Sequence, residues 1–357
     1  YALEISLKLS QTLLHPPGEE LEMIENLFKS LDQHSTSKGA LLIGGQYLNG
    51  PHRLAVLEKC LKFKETHPQF SINIMEGKDN SLGAYFAGMR PDLGPNNEKI
   101  ERSFVGKNVS EVINTTMTEG WDVLYVAGAN PSVKVPSDIW KKIRSKTKFI
   151  VVQDLFLNET AQDADVVLPT LCYVEKHGTF INIDGHIQRL QPGKDLLKGV
   201  FSDAEIFARL AEKLGISLNI GSNFFKKLEG QRLSFSRTNS IQNVENKNIE
   251  ALIGGEFYAT FAPSLFDHGV RMRHNPHLYQ LCKPPVFRIH PFDAEKAEIK
   301  NNETIKLRIQ DSTITGHVQF DSRVAKKTIV LPLGFPEIPV HNLGINLWNG
   351  MQITYDR

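Results

Sequence analysis

Three short apolar runs constrain this chain most: WDVLYVA from Trp121, KFIVVQD from Lys148 and ADVVLP from Ala164. Each is nearly continuous in Val, Ile and Leu. A strand with one wet face alternates apolar and polar residues. A strand without that alternation is expected to be covered on both faces, as in a parallel sheet with helices above and below. Between the first two runs, Ile139, Trp140 and Ile143 recur at helical spacing, and Ser137 is the expected helix cap. Earlier in the chain the same alternation begins. ALLIGG, Ala40 to Gly45, and SINIM, Ser71 to Met75, read as strands. Leu21, Ile24, Leu27, Phe28 and Leu31 mark a helix before them, and Leu54, Leu57 and Leu61 one between them. Right-handed crossovers place the loops after parallel strands along one edge, where ligands of open α/β sheets sit. Gly128 to Pro131 and the segment after Asp154 fall at that edge.

The pattern then changes. TFINI and HIQRL flank Asp184-Gly185, a pair suited to a two-residue type I′ hairpin turn. Ser202-x-x-Glu205 is a capping box opening a helix with Ile206, Phe207, Leu210 and Leu214 on one face and Gly215 at its end. From about Ile220 to Glu250 the composition shifts to Asn, Ser, Lys and Gln, as in a linker or surface insertion. Beyond it strands dominate. Asp293 is expected to begin a helical turn, Ile305, Leu307 and Ile309 alternate, and Asp311-Ser312 turns the chain. The expected fold is therefore α/β: a parallel-sheet α/β domain over residues 1–218, a linker or insertion over 219–249, and a small β barrel over 250–357.

A chain of 357 residues is long enough for two or three such domains. The formal net charge of +1 offers no argument for nucleic acid or an anionic membrane as partner. No apolar run reaches the ~20 residues of a membrane-spanning helix. The chain begins at Tyr1 rather than Met, and is expected to be part of a longer protein. Cys60, Cys172 and Cys282 lie far apart, so neither a disulfide framework nor a zinc or iron–sulfur ligand set is expected, and a reducing compartment fits.

Candidate chemistry is sparse. The twelve His residues form no H-E-x-x-H motif. His177 and His186 flank the hairpin. GGQYLNG after the Ala40 strand is a strand-end turn with only a faint likeness to a nucleotide loop. AGANP is better placed: Gly128 permits close backbone approach, Asn130 offers an amide, and Pro131 starts a turn whose N–H groups suit an anion. A plain turn explains it equally well. Glu175, Lys176, His177, Gly178, Thr179 and Asn182 gather after a strand end. Such a group suits either the edge of a purine or pterin or the fastening of the hairpin. No nucleophile–base pair and no metal cage is expected.

The stretch QDLFLNETAQDADVVLPTLCYVEKHGTFINIDGHIQRL resembles the molybdopterin oxidoreductase superfamily. Gln153, Asp154, Glu159, Thr160, Ala161, Ala164 to Pro169, Glu175, Gly178, Thr179, Asn182, Gly185 and Gln188 carry the resemblance, with GANP from Gly128 before them. HPFDAEKAEIKNNETIKLRI, from His290, resembles the start of the superfamily's C-terminal barrel, which covers the dinucleotide end of the cofactor in its enzymes. Within the superfamily, APSLFDHGVRMRHNPHLYQL from Ala262 looks like the linking segment of the large iron–sulfur subunits of NADH:quinone oxidoreductases. That branch keeps the fold and has generally lost molybdenum.

The resemblance implies a non-catalytic structural and assembly region, inactive alone, with no cofactor or metal of its own. Iron–sulfur clusters are expected in an N-terminal region outside this chain, other subunits of the respiratory complex as partners, and a peripheral position on the cytoplasmic (or matrix) side of the inner membrane without insertion. The alternative is the cofactor-binding part of a molybdopterin enzyme such as a formate dehydrogenase. Gly128, Asn130, Glu175, Gly178, Thr179 and Asn182 are then the pocket candidates. Two departures stand out. His177 occupies a place where the superfamily usually has an acid, and His186 one where it usually has Arg, a permanent forked partner for phosphate.

Overall fold

The computed structural model describes residues 13–32, 38–49, 52–75, 78–95, 98–193, 198–218, 257–309, 312–343 and 351–356. The expected linker 219–249 lies outside the described residues, as does Asp311 of the expected turn. The chain divides into two compact units, residues 1–75 with 238–357, and residues 76–237.

The first unit opens with α1 (Glu20–Asp32), β1 (Gly39–Ile43), α2 (Gly45–Asn49), α3 (Arg53–Thr66) and β2 (Phe70–Ile74). β1 and β2 pair in parallel, with Gly39 opposite Phe70 and Ile43 opposite Ile74. Ile24, Ile43, Val56 and Cys60 form the core here, with Leu21, Phe28 and Leu57 packed against it. Spacing predicts Leu54, Leu57 and Leu61 as the inner face of α3. The buried residues are instead Val56, Cys60 and Phe63. Apolar residues occur around most of this helix, so spacing alone does not select its face. Contact with α1 does: the Phe28 and Phe63 rings stack with centroids 4.2 Å apart.

The second unit contains α4 (Ser81–Phe86), α5 (Val109–Thr118), β3 (Trp121–Ala127), α6 (Ser137–Lys146), β4 (Thr147–Asp154), α7 (Glu159–Gln162), β5 (Val166–Pro169), β6 (Gly178–Ile181), β7 (Ile187–Leu190) and α8 (Asp203–Lys213). β3, β4 and β5 form a parallel sheet in that order, as their apolar runs require. One face, bearing Leu124, Val126, Ile150 and Val152, packs on α5, α6 and α7 through Ile113, Trp140, Ile143 and Ala161. On the other face α8 brings Phe207 to Tyr125, with centroids 5.9 Å apart. Cover there is partial: Val123 is 56% exposed and Phe149 42%. The full cover expected on both faces is not reached: on the first face too, Val167, beside Val152, is 37% exposed.

Local signals set the helix starts. Asn108 and Glu111 cap α5 reciprocally, and Ser202 and Glu205 cap α8 as their spacing implies. Ser137 does not cap α6. It is the first helical residue, and Pro136 holds the cap position without a side-chain bond.

The hairpin turn also differs from the expected one. Ile181 faces Ile187, and Asn182 N–H donates to the His186 carbonyl, 3.1 Å. The loop is therefore Ile183-Asp184-Gly185, three residues rather than two. Gly185 N–H closes a turn onto the Asn182 carbonyl, and only Gly185 takes positive φ, at 81°. This is the three-residue loop in which a left-handed residue follows a β-turn. Gly185→Val is expected to cost on the order of 1 kcal/mol or more, since a β-branched residue resists that conformation. An unchanged urea midpoint for the variant would refute this.

The barrel returns to the first unit. Its strands are β8 (Phe257–Pro263), β9 (Val286–Ile289), β10 (Thr304–Ile309), β11 (Ser312–Phe320), β12 (Thr328–Leu333) and β13 (Met351–Asp356). They close in the order β10-β11-β9-β12-β8-β13. Closure leaves no unpaired strand edge. Ile305 and Leu307 point inward as their alternation predicts, joining Phe287, Ile289, Ile314, Val318, Ile329 and Leu331. Gly316 makes room for Phe287: a Cβ there would lie 2.6 Å from the ring. The helix Pro291–Lys296 starts two residues before the expected Asp293. His290 caps it, its Nδ1 accepting from Phe292 N–H at 3.1 Å. Asp293 is instead buried in the helix and accepts from Lys327 N–H at 2.6 Å. Pro at the first helical position explains the earlier start.

Candidate functional site

The C-terminal ends of β3 and β4 carry the first group of candidates. Gly128 N–H extends the ladder to the Gln153 carbonyl, 2.8 Å, and Gly128 turns the chain with φ of 61°. Nothing lies within 4 Å of where its Cβ would be. Asn130 follows, and its amide is the centre of a compact network. Its Nδ2 donates to Glu159 Oε2 at 2.7 Å. Its Oδ1 accepts from Thr160 Oγ1 at 2.7 Å, Thr160 N–H at 3.2 Å and Ser132 Oγ at 3.1 Å. Ser132 N–H donates to Thr160 Oγ1, 3.1 Å. Thr160 is fully buried. Asn158 caps α7 by accepting from Ala161 N–H at 2.9 Å, and donates to Asp154 Oδ2 at 2.9 Å. The motif residues Asn130, Asp154, Glu159 and Thr160 are thus joined, and the bonds fasten the loop after β3 to the start of α7.

The second group lies around the hairpin. Glu175 Oε2 accepts from Cys172 N–H at 3.0 Å, closing a short 3-10 turn over Tyr173–Glu175. Thr179 and Gly178 sit on β6, where Thr179 pairs with Arg189 and Gly178 with Leu190. Asn182 Oδ1 accepts from Asp184 N–H at 3.1 Å and His186 N–H at 2.8 Å, so it builds the hairpin loop. His177 and His186 are exposed.

Asn80 was not singled out in the sequence. Its side chain docks on β6 as a strand would, donating to the Thr179 carbonyl at 3.1 Å and accepting from Ile181 N–H at 2.9 Å. The available signal was Gly83, three residues on. A Cβ there would lie 2.1 Å from Asn80 Oδ1.

A half-buried polar network ties α8 to the sheet. Gln153, fully buried, accepts from the Tyr125 hydroxyl at 2.6 Å and donates to Asp203 Oδ1 at 2.7 Å. Thr170 Oγ1 donates to the same oxygen at 3.1 Å, and Lys176 pairs with Asp203 Oδ2. Burial pushes the Asp203 carboxyl up, but Lys176, Gln153 and Thr170 together hold it below its ordinary value. An acid whose folded pKa is depressed adds stability above its unfolded pKa, about 3.9 for Asp. That contribution is lost as pH falls through the lower folded value. Asp203→Asn should therefore flatten the acid limb of a melting-temperature profile. A limb parallel to that of the unaltered chain would contradict the assignment.

Among the described residues no group of three His, Cys, Asp or Glu side chains is arranged to hold a metal ion, and no helix is long and apolar enough to cross a membrane. Cys60 is buried and its thiol is pushed up to about 11 by that burial. A protonated, enclosed thiol is a poor nucleophile.

Comparison with known proteins places this geometry. The family model for molybdopterin oxidoreductase matches residues 17–213. The F420-dependent formate dehydrogenase subunit alpha of Methanocaldococcus jannaschii is 26% identical over 326 residues, covering 74% of this chain and 48% of that protein. An NADH-quinone oxidoreductase subunit of Rhizobium meliloti is 22% identical over 316 residues, covering 76% of this chain and 36% of that protein. This chain spans half or less of the length of these relatives. Among solved structures, acetylene hydratase from Pelobacter acetylenicus superposes with a TM-score of 0.51 at 14% identity, over 76% of this chain and 48% of that one, a likeness of fold. The matched residues run from α1 to the end of α8 and include the whole sheet edge just described, so this chain belongs to the molybdopterin oxidoreductase family.

Proposed function

We propose that this chain is the structural, cofactor-free region of a large subunit of NADH:quinone oxidoreductase type. In this reading it takes no part in chemistry itself and is inactive alone. It supports assembly with other subunits of that complex, as a peripheral protein on the cytoplasmic or matrix side of the inner membrane. Electrons pass from NADH to quinone through clusters held outside these residues.

The observation that carries the reading is the state of Asn130. Its side-chain oxygen is taken up by Thr160 and Ser132, and one amide hydrogen by Glu159. The candidates supply no cation: Gly128, Asn130, Glu175, Gly178, Thr179 and Asn182 include no Lys or Arg. Lys176, beside them in sequence, is engaged by Asp203. A molybdopterin dinucleotide brings phosphate charges that need paired cations or helix N-termini when buried. These candidates are a poor fit to that group.

One observation favours a second reading, a part of a molybdopterin enzyme. The formate dehydrogenase alpha subunit of Methanocaldococcus jannaschii matches at 26% over 326 residues, slightly above the NADH-quinone oxidoreductase relative at 22% over 316. The two separate by partner and activity. Affinity capture of the full-length native protein should bring down NADH:quinone oxidoreductase subunits and give no formate oxidation. Capture without those subunits, but with formate oxidation, would reject the first reading in favour of the second.

A further inference from the structure

Among the described residues β1 pairs with β2 and with no other strand. The Ile43 carbonyl accepts from Met75 N–H at 2.8 Å, so Ile43, and with it Leu41 and Gly39, directs its backbone groups at β2. In a parallel ladder alternate residues bond to opposite sides. Ala40 and Leu42 therefore turn their N–H and C=O groups to the other edge. Such an edge is a template for one more strand. Two strands alone are marginal in water, so a third would stabilise this sheet.

The helices fix the direction in which the sheet continues. α1 and α3 cover the same face: Ile24 of α1 and Val56 and Cys60 of α3 share one core with Ile43 and Ile72. Their C-terminal ends meet, with Asp32 Oδ1 3.1 Å from His67 Nε2. α3 is the crossover from β1 to β2. A strand ahead of α1, crossing right-handedly over that same face, must lie on the side of β1 away from β2. It must also run parallel to β1, and the entry to α1 is placed for this. His15 Nε2 meets the Tyr47 hydroxyl at 2.8 Å, which holds the chain before α1 at the C-terminal end of β1. On α1, Leu27 lies on the flank of Ile24 opposite Phe28. Leu27 is half-buried and is not among the residues packed on the shared core.

We propose that the free edge of β1 docks residues 3–9 of this same chain as a third parallel strand. That segment lies outside the described residues, and its sequence is the argument for it: Leu3, Ile5, Leu7 and Leu9 alternate with Glu4, Ser6 and Lys8. Period two gives a half-buried strand one apolar face. Here the apolar face meets α1 on the flank of Leu27. The polar face lies in line with Ala40, Leu42, Ser71 and Asn73, all exposed. Residues 10–19 then lead from the C-terminal end of the sheet into α1. Filling the edge from within the chain removes a template on which a second copy or another subunit would add.

Amide hydrogen exchange of the full chain, resolved to single residues by fragmentation mass spectrometry, tests this. In the unaltered chain the Ala40 and Leu42 amides are expected to exchange as slowly as that of Leu41, which is directed at β2. Ile5→Asp and Leu7→Asp, on the apolar face, should speed exchange at Ala40 and Leu42 about tenfold or more, while the α3 amides keep their rates. Ser6→Asp, on the wet face, should leave both amides as they are. Where Ile5→Asp also loosens α3, the milder Ile5→Ala is read in its place. Fast exchange at Ala40 and Leu42 in the unaltered chain overturns the proposal without any variant. An unchanged rate in the Ile5 and Leu7 variants overturns it too, as does an equal effect of Ser6→Asp, which would mean contact without period two. Slow exchange that appears only when another subunit is added gives the edge to that partner and likewise overturns it.

Discussion

Phe287→Ala is expected to destabilise the barrel by about 3–5 kcal/mol, the range for removing a large aromatic from a closed core. Phe287 has no exposed surface, and it lies among Ile289, Ile305, Leu307, Ile314, Val318, Ile329 and Leu331. Its ring packs over Gly316 of β11, where a Cβ would lie 2.6 Å from it. Truncation removes the ring from that space, and a backbone held in two ladders cannot move in to fill it. β11 pairs with both β10 and β9, so collapse would break register on two sides. The cost should therefore sit in the upper part of the range. A urea titration read in the barrel transition measures it. A loss below about 1 kcal/mol would mean that the core repacks and that the closed arrangement around Phe287 is wrong.

Asn130→Ala is expected to cost about 2–3 kcal/mol, because it leaves several polar groups without their partner at once. Thr160 is fully buried and directs both its hydroxyl and its N–H at Asn130 Oδ1. Ser132 Oγ shares that oxygen, and Glu159 loses the donor at 2.7 Å. Asn130→Asp separates shape from hydrogen bonding. It keeps the acceptor but sets a second carboxylate against Glu159, so it too should destabilise, through like-charge repulsion. Thermal melts of both variants against the unaltered chain give the readout. If Asn130 instead faced a ligand with its side chain free, both substitutions would leave the melting temperature nearly unchanged.

The contrast between these two sites explains what was legible in the sequence. The strands WDVLYVA, KFIVVQD and ADVVLP were readable because their Val- and Ile-rich composition suits a parallel sheet, although Val123, Phe149 and Val167 are left exposed. The parallel order β3-β4-β5 follows from them. Ile305 and Leu307 were readable because period two assigns one face of a half-buried strand to the core. The capping box at Ser202 was readable because both partners lie within one turn. What failed depended partly on distant partners and partly on local competitors, such as Pro136 at the cap of α6 and Asn182 in the hairpin loop. The buried face of α3 is chosen by Phe28 on another helix, and spacing within α3 holds no record of that choice. The hairpin was expected to turn on two residues because Asp-Gly favours such turns. Asn182 instead accepts two backbone N–H groups and stabilises a three-residue loop, which keeps Ile181 opposite Ile187.

For the candidate site, the sequence located the loop after β3 and the segment after Asp154, and the structure brings them together through Asn130 and Thr160. It did not reveal that the Asn130 side chain is turned inward onto α7. Gly128 and Asn130 permit either a cradle or a latch, and the outcome depends on Glu159 and Thr160, about thirty residues away in sequence. Asn80 escaped notice for the same reason. Its partners on β6 lie about a hundred residues away.

The central claim is that this region keeps the fold of a molybdopterin oxidoreductase without holding the cofactor. The most direct measurement is molybdenum by elemental analysis, together with pterin fluorescence, on the full-length protein purified from its native source. The account predicts neither molybdenum nor pterin in stoichiometric amount, whatever the iron content. One molybdenum per chain together with oxidised pterin would contradict it, and would make Gly128, Asn130, Glu175, Gly178, Thr179 and Asn182 cofactor contacts.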